Sequence, residues 1–187
     1  MRVFFAIDLP QALRSRLGDI QRELRPAAPN ARWVAPESIH LTLRFLGEIN
    51  PVQMEEAAAA LQGLTWKPFE VRARSLGFFP GARSPRVLWV GVEAASLEEL
   101  AQEVNARMER LGFEPERRAF RPHLTLARSR DTRLKSELIR AAERFKDLDF
   151  GSFVADHLIL FESVLKPAGA EYRQIREFAF VPGGMRT

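Results

Sequence analysis

Two of the three histidines in this chain of 187 residues, His40 and His123, each open the tetrapeptide His-Leu-Thr-Leu. The two copies begin 83 residues apart, at positions 40 and 123. Their flanks repeat as well: Arg2-Val3-Phe4-Phe5 resembles Arg86-Val87-Leu88-Trp89, 84 residues further on. A near-constant offset predicts two copies of one structural unit, each presenting one imidazole. Side chains alternate faces along a strand, so His40 and Thr42 share one face while Leu41 and Leu43 take the other. The same holds for His123 and Thr125 against Leu124 and Leu126. If the two strands border one cleft, two imidazoles and two hydroxyls face it together. One imidazole could then take a proton from an attacking oxygen and the other give one to a leaving oxygen, as phosphodiester chemistry requires. The hydroxyls would hold non-bridging oxygens. Histidine titrates near neutral pH, so this chemistry needs no metal.

The elements that must position these groups can be read from periodicity and turn residues. Arg2–Leu9 reads as a strand. Leu13, Leu17, Ile20 and Leu24 recur at helical spacing after Pro10. Ala31–Ala35 reads as a short strand and Ile39–Leu46 as the first motif strand. Pro51–Leu61 reads as a helix, and Phe69–Phe79 and Arg86–Glu93 as strands. Ser96–Leu111 reads as a helix, with Ser96 as N-cap, Glu99 at the capping-box position and Gly112 as its stop. Phe120–Ala127 is the second motif strand and Thr132–Phe145 a helix. Phe153–Leu165 and Tyr172–Phe180 read as a hairpin around residues 166–169. This mixed order predicts an α+β fold: two pseudo-symmetric lobes, each a small, mostly antiparallel sheet backed by helices, with the active-site cleft between them. The repeat is expected over residues 2–79 and 86–165, closed by a strand at 172–180, within a single bilobal domain spanning 1–187.

Composition narrows the classes. No cysteine is present, which excludes disulfides, thiolate metal sites and a cysteine nucleophile and fits a cytoplasmic setting. No apolar run reaches the length of a signal-peptide core or a membrane span, so no membrane association is expected. Net charge is +4, and only four of the 28 basic residues are lysines. Arginine suits phosphate because its planar fork donates two hydrogen bonds at once, and the excess charge is compatible with an anionic partner. Neither motif has a carboxylate or a third histidine at ligand spacing, so no metal and no other cofactor is expected. His157 has isoleucine rather than threonine at i+2 and reads as structural.

The paired motif in this order resembles the 2H phosphoesterase superfamily. The stretches Arg2–Asp8, His40–Gly47 and Pro122–Arg128 are similar to its RNA 2′,3′-cyclic phosphodiesterase branch, also called 2′-5′ RNA ligase, and the similarity spans nearly the whole chain. The resemblance implies hydrolysis of an RNA terminal 2′,3′-cyclic phosphate to a 2′-phosphomonoester, with His40 as proton donor and His123 as proton acceptor. Spacing alone leaves the two roles interchangeable. The resemblance also implies a reversible 2′-5′ ligation and, as partner, RNA 3′ ends carrying a 2′,3′-cyclic phosphate, such as tRNA fragments; no obligate protein partner is inferred from the sequence. Arg128 matches an arginine expected near the phosphate, although strand parity turns it away from His123. Arg44 shares parity with His40 and Thr42 and is a second phosphate candidate, whereas parity sends Phe45 to the core. Phe79 and Trp89 are candidate base-stacking residues. Arg83 and Arg86, around the turn between Pro80 and Pro85, are candidate backbone contacts. No RRM- or KH-like signature is present. Two other readings stay open: a phosphodiesterase for a small cyclic nucleotide or a 2′-5′ oligonucleotide, and a non-catalytic RNA-binding module.

Overall fold

A computed structural model describes residues 1–129, 134, 136–166 and 169–181. The elements in chain order are β1 (Arg2–Ile7), α1 (Gln11–Leu24), β2 (Arg32–Trp33), β3 (Leu41–Glu48), α2 (Pro51–Leu61), β4 (Phe69–Phe79), β5 (Val87–Glu93), α3 (Leu97–Arg110), β6 (His123–Arg128), α4 (Ser136–Glu143), β7 (Asp149–Ala155), β8 (His157–Lys166) and β9 (Gly169–Ala179). The expected start of α4 at Thr132 and the turn at Pro167-Ala168 lie outside the described residues.

The fold is α+β, with two antiparallel sheets backed by helices. One sheet has the order β3-β1-β8-β9 and the other β2-β6-β5-β4-β7. In each, the strand that opens a sequence copy pairs with its own motif strand, β1 with β3 and β5 with β6. The third strand comes from the other half of the chain: β4 pairs with β5, and β8 with β1. Sheet membership therefore does not follow the order of the chain.

The expected strand Phe153–Leu165 is two strands. It breaks at Asp156, leaving β7 in one sheet and β8 in the other. An apolar alternation that passes from one sheet to the next carries no mark of the crossing. The expected capping box on α3 is also absent, because Ser96 makes no side-chain cap bond. Asn50 and Gln53 form one on α2 instead, where Asn50 Oδ1 accepts from the Gln53 amide at 2.9 Å and Gln53 Oε1 accepts from the Asn50 amide at 3.0 Å. Gly112, with φ +87°, ends the α3 region as its sequence implies.

A single apolar core joins the sheets and helices. Leu41, Leu43, Leu124 and Leu126 are all buried in it, so each motif is anchored by its leucines. On the other face of the first sheet, Phe4, Ala6, Ile159 and Phe161 form a smaller cluster that Tyr172 flanks.

Candidate active site

His40 lies one residue before β3, on the exit of a 3₁₀ turn at Pro36–Ser38. That turn brings the Ser38 carbonyl 2.9 Å from His40 Nδ1. His123, the first residue of β6, has its Nδ1 2.7 Å from the carbonyl of Arg121. A carbonyl only accepts, so in both rings Nδ1 carries the proton and Nε2 is left for chemistry. The same i−2 contact thus sets one tautomer in both copies.

The surroundings of the rings differ. His40 lies against Phe4, with centroids 4.6 Å apart, and meets Tyr172 edge-on at 4.7 Å. His123 meets Phe79 edge-on at 4.9 Å, and Phe79 also packs on Trp89 at 5.1 Å. Burial lowers the pKa of His40 to about 4; the Ser38 carbonyl and Asp8 oppose this, and Arg128 and Arg14 add to it. His123 is lowered too, first by burial and then by Arg128, against the Arg121 carbonyl. Both imidazoles are therefore neutral at pH 7 in the free protein.

The strands depart from simple alternation at matching places. In β3, Thr42 and Arg44 face consecutive residues of β1, so Leu43 is an extra, bulged residue. In β6, Thr125 and Ala127 face consecutive residues of β5, so Leu126 is bulged. Each bulge swaps the faces of the residues beyond it. Arg128 accordingly turns to the side of His123 and Thr125, with its Nη2 3.4 Å from Thr125 Oγ1. This resolves the conflict between parity and resemblance at that position. The Arg128 guanidinium also acts on His40 and on Tyr172, both borne by the first sheet. It is the one described cation whose charge reaches both imidazoles.

The same swap overturns two expectations in the first copy. Arg44 faces the interior: it is 6% exposed and donates from Nη2 to the carbonyl of Glu114. It is not placed for phosphate but ties β3 to the segment that leads into His123. Phe45, expected in the core, is 53% exposed and packs on Phe4 beside His40. Phe45 and Arg128 hold equivalent places after their bulges, opposite Phe4 and Val87. Ala6 and Trp89 are likewise equivalent, opposite Thr42 and Thr125. The structural repeat therefore runs at the spacing of the histidines, and the flank alignment read from sequence is one residue out of register.

The other candidates divide. Thr42 and Thr125 are half-buried on the faces of their histidines. Phe79 and Trp89 line a hollow beside His123 together with Phe120 and Pro122. Trp89 rests on Gly77, where an added Cβ would fall 2.1 Å from the indole ring. Arg83 lines a different hollow with Pro85 and Leu134, and Arg86 is exposed at the start of β5. Neither arginine is brought to the histidines. His157 sits on β8, with Nδ1 2.5 Å from Asp156 Oδ1. Sequence reasoning passed over Tyr172, the chain's only tyrosine, because β9 meets the motif strand only through the fold. Among the described residues no three His, Asp or Glu side chains cluster to hold a metal ion. No helix among them is long and apolar enough to cross a membrane.

Two tautomer-matched imidazoles, both acted on by one guanidinium, can serve acid–base chemistry on an anionic ester, and comparison with known proteins bears on this directly. The family model for LigT-like phosphoesterases matches residues 7–89 and again 90–172. The chain belongs to the LigT-like phosphoesterase family. The two matches are of equal length, and each places its histidine equally far from its start. Family members with which the chain aligns include an RNA 2′,3′-cyclic phosphodiesterase of Methanocaldococcus jannaschii, 33% identical over 95% of this chain and 100% of that protein. Another, of Thermus thermophilus and of the same name, is 33% identical over 96% of this chain and 90% of the other. Among solved structures, a Thermus thermophilus protein superposes with a TM-score of 0.85 at 29% identity, covering 98% of this chain and 100% of that one. Escherichia coli LigT complexed with 3′-AMP superposes with a TM-score of 0.79 at 25% identity, covering 96% and 97%.

Proposed function

We propose that this LigT-like phosphoesterase hydrolyses the 2′,3′-cyclic phosphate at RNA 3′ ends to a 2′-phosphomonoester, by acid–base chemistry of His40 and His123 within one bilobal domain spanning residues 1–187. The observation that carries this reading is the position of Arg128, whose charge reaches both imidazoles while its Nη2 lies by Thr125. A phosphoryl group held by that guanidinium would sit beside Thr125, on the face that also carries His123. The names of the relatives supply the substrate class.

In the reaction, His123 Nε2 takes a proton from water, whose oxygen attacks phosphorus. The bond from phosphorus to O3′ breaks, and His40 Nε2 delivers its proton to O3′. The product keeps phosphate on O2′ and regains a 3′-hydroxyl. Arg128, Thr42 and Thr125 donate to the non-bridging oxygens. Arg44, buried and bonded to Glu114, has no part in this. With a 5′-hydroxyl RNA end in place of water the same steps form a 2′-5′ linkage. His40, with the low pKa, must hold a proton when it acts as donor. The bound phosphate anion supplies the opposite charge that favours the imidazolium. No step needs a metal, and chelator is expected to leave turnover unchanged.

The test is product analysis on RNA ending in a 2′,3′-cyclic phosphate. Phosphate retained at the 2′ position is expected. Retention at the 3′ position, or salt-sensitive binding with no turnover, would overturn the reading. His40→Ala and His123→Ala are each expected to lower kcat by about 10²- to 10⁴-fold with the fold intact.

A further inference from the structure

The second sheet has a strand that the first lacks. β3 is an edge strand, whereas β6, its counterpart, is covered by β2. β2 is two residues long, and it sets Arg32 directly opposite Arg128 and Trp33 opposite Ala127. Residues directly opposed across antiparallel strands project to the same face. Trp33 packs against the core and donates from Nε1 to the Ala28 carbonyl at 3.0 Å, while Ala127 is fully buried. Arg32 and Arg128 therefore share the other face, the one bearing Thr125 and His123. Both are exposed.

Like charges directly opposed across a ladder are destabilising. A charged residue on a short edge strand is common protection against edge-to-edge pairing, but that purpose does not call for a second cation beside it. Eight of the described arginines hold a carboxylate partner, among them Arg14 with Asp8, Arg72 with Asp149 and Arg107 with Glu103. Among the described residues neither Arg32 nor Arg128 has a carboxylate partner. An unneutralised pair of guanidiniums at the mouth of a phosphoryl site, on a strand present beside only one motif, is arranged for two anions.

We propose that Arg32 binds the phosphodiester immediately 5′ of the terminal nucleotide, so that the site distinguishes an RNA chain from a mononucleotide. This rests on the assignment of the terminal phosphate to Arg128. Arg32 takes no part in bond making; it adds binding energy from a part of the substrate that does not react.

The experiment compares Arg32→Ala with the unaltered protein on a trinucleotide and on a mononucleoside, each carrying a 2′,3′-cyclic phosphate. The expected result is a KM for the trinucleotide raised about tenfold with kcat kept, and unchanged kinetics on the mononucleoside. The salt dependence of trinucleotide binding should fall by about one phosphate contact, and Arg32→Lys should keep it. Thermal stability should hold or rise, since a like-charge pair is relieved; a structural role would lower it. Equal losses on both substrates would put Arg32 on the terminal phosphate and overturn the proposal, as would no loss on either. If the unaltered protein turned over neither substrate, the reading of the site would fail by itself. Binding of a trinucleotide ending in a 2′-phosphate would still decide Arg32: unaltered affinity and salt slope in Arg32→Ala overturn it.

Discussion

Arg44 and Arg128 follow their histidines by four and five residues, yet one is buried and the other open. Arg44→Ala should destabilise the fold by about 1–3 kcal/mol, because it strips the Glu114 carbonyl of its donor, and should leave kcat within a few-fold. Arg128→Ala should do the reverse, leaving the melting temperature nearly unchanged and lowering kcat about 10²-fold. Thermal unfolding and turnover of the two variants side by side test the division. The histidines carry a pH dependence of stability. Burial holds His40 neutral down to about pH 4, whereas the unfolded chain takes up its proton near 6.5. The resulting stability is complete above pH 6.5 and is lost as pH falls from there to about 4. It amounts to about 3 kcal/mol for His40, and His123 adds in the same sense. Denaturant titrations at pH 7 and pH 4.5 should show the loss, and His40→Asn should shrink it.

At the scale of elements, the repeated motif was legible because its residue types, their spacing and the period of a strand all agree. The faces beyond the motif were not. Leu43 and Leu126 are ordinary strand residues, and nothing in their type announces a bulge. One sign was available: parity turned Arg128 away from the site that resemblance assigned it. A bulge resolves that conflict, and the repeat would then have carried it to Leu43 and corrected Arg44 and Phe45. The register of β4 and β5 was hidden for a similar reason, since Gly77 reads as a weak strand residue until Trp89 is seen lying on it. Gly77→Ala is expected to push the indole off its seat beside Phe79 and His123. Trp89 emission should shift, and KM for RNA should rise more than kcat falls. An unchanged emission spectrum would contradict the packing.

For the whole molecule, the α+β class and the two-sheet plan were readable from the order of strands and helices. The partners of β4 and β8 were not, because each leaves its own half to complete the sheet of the other. Residues 1–85 alone would have β1 without β8, and β4 without β5 and β7. Such a fragment should show no cooperative melt by circular dichroism. Mixing it with residues 86–187 should restore one, since every missing ladder is then present. These pairings join residues far apart in sequence, which predicts slow folding for a chain of this size.

The reciprocal trade of third strands also bears on origin. A lone unit of this length could complete its ladders in the same way by trading its third strand with an identical twin, which is a swapped homodimer with two-fold symmetry. Each subunit would bring one imidazole, and both would have the same neighbours. Joining the twins end to end removes that constraint. Phe45 and Arg128, Ala6 and Trp89, and the extra short strand carrying Arg32 beside one motif only are what such freedom permits: an aryl group on one side and a cation on the other, a difference that two identical subunits cannot hold.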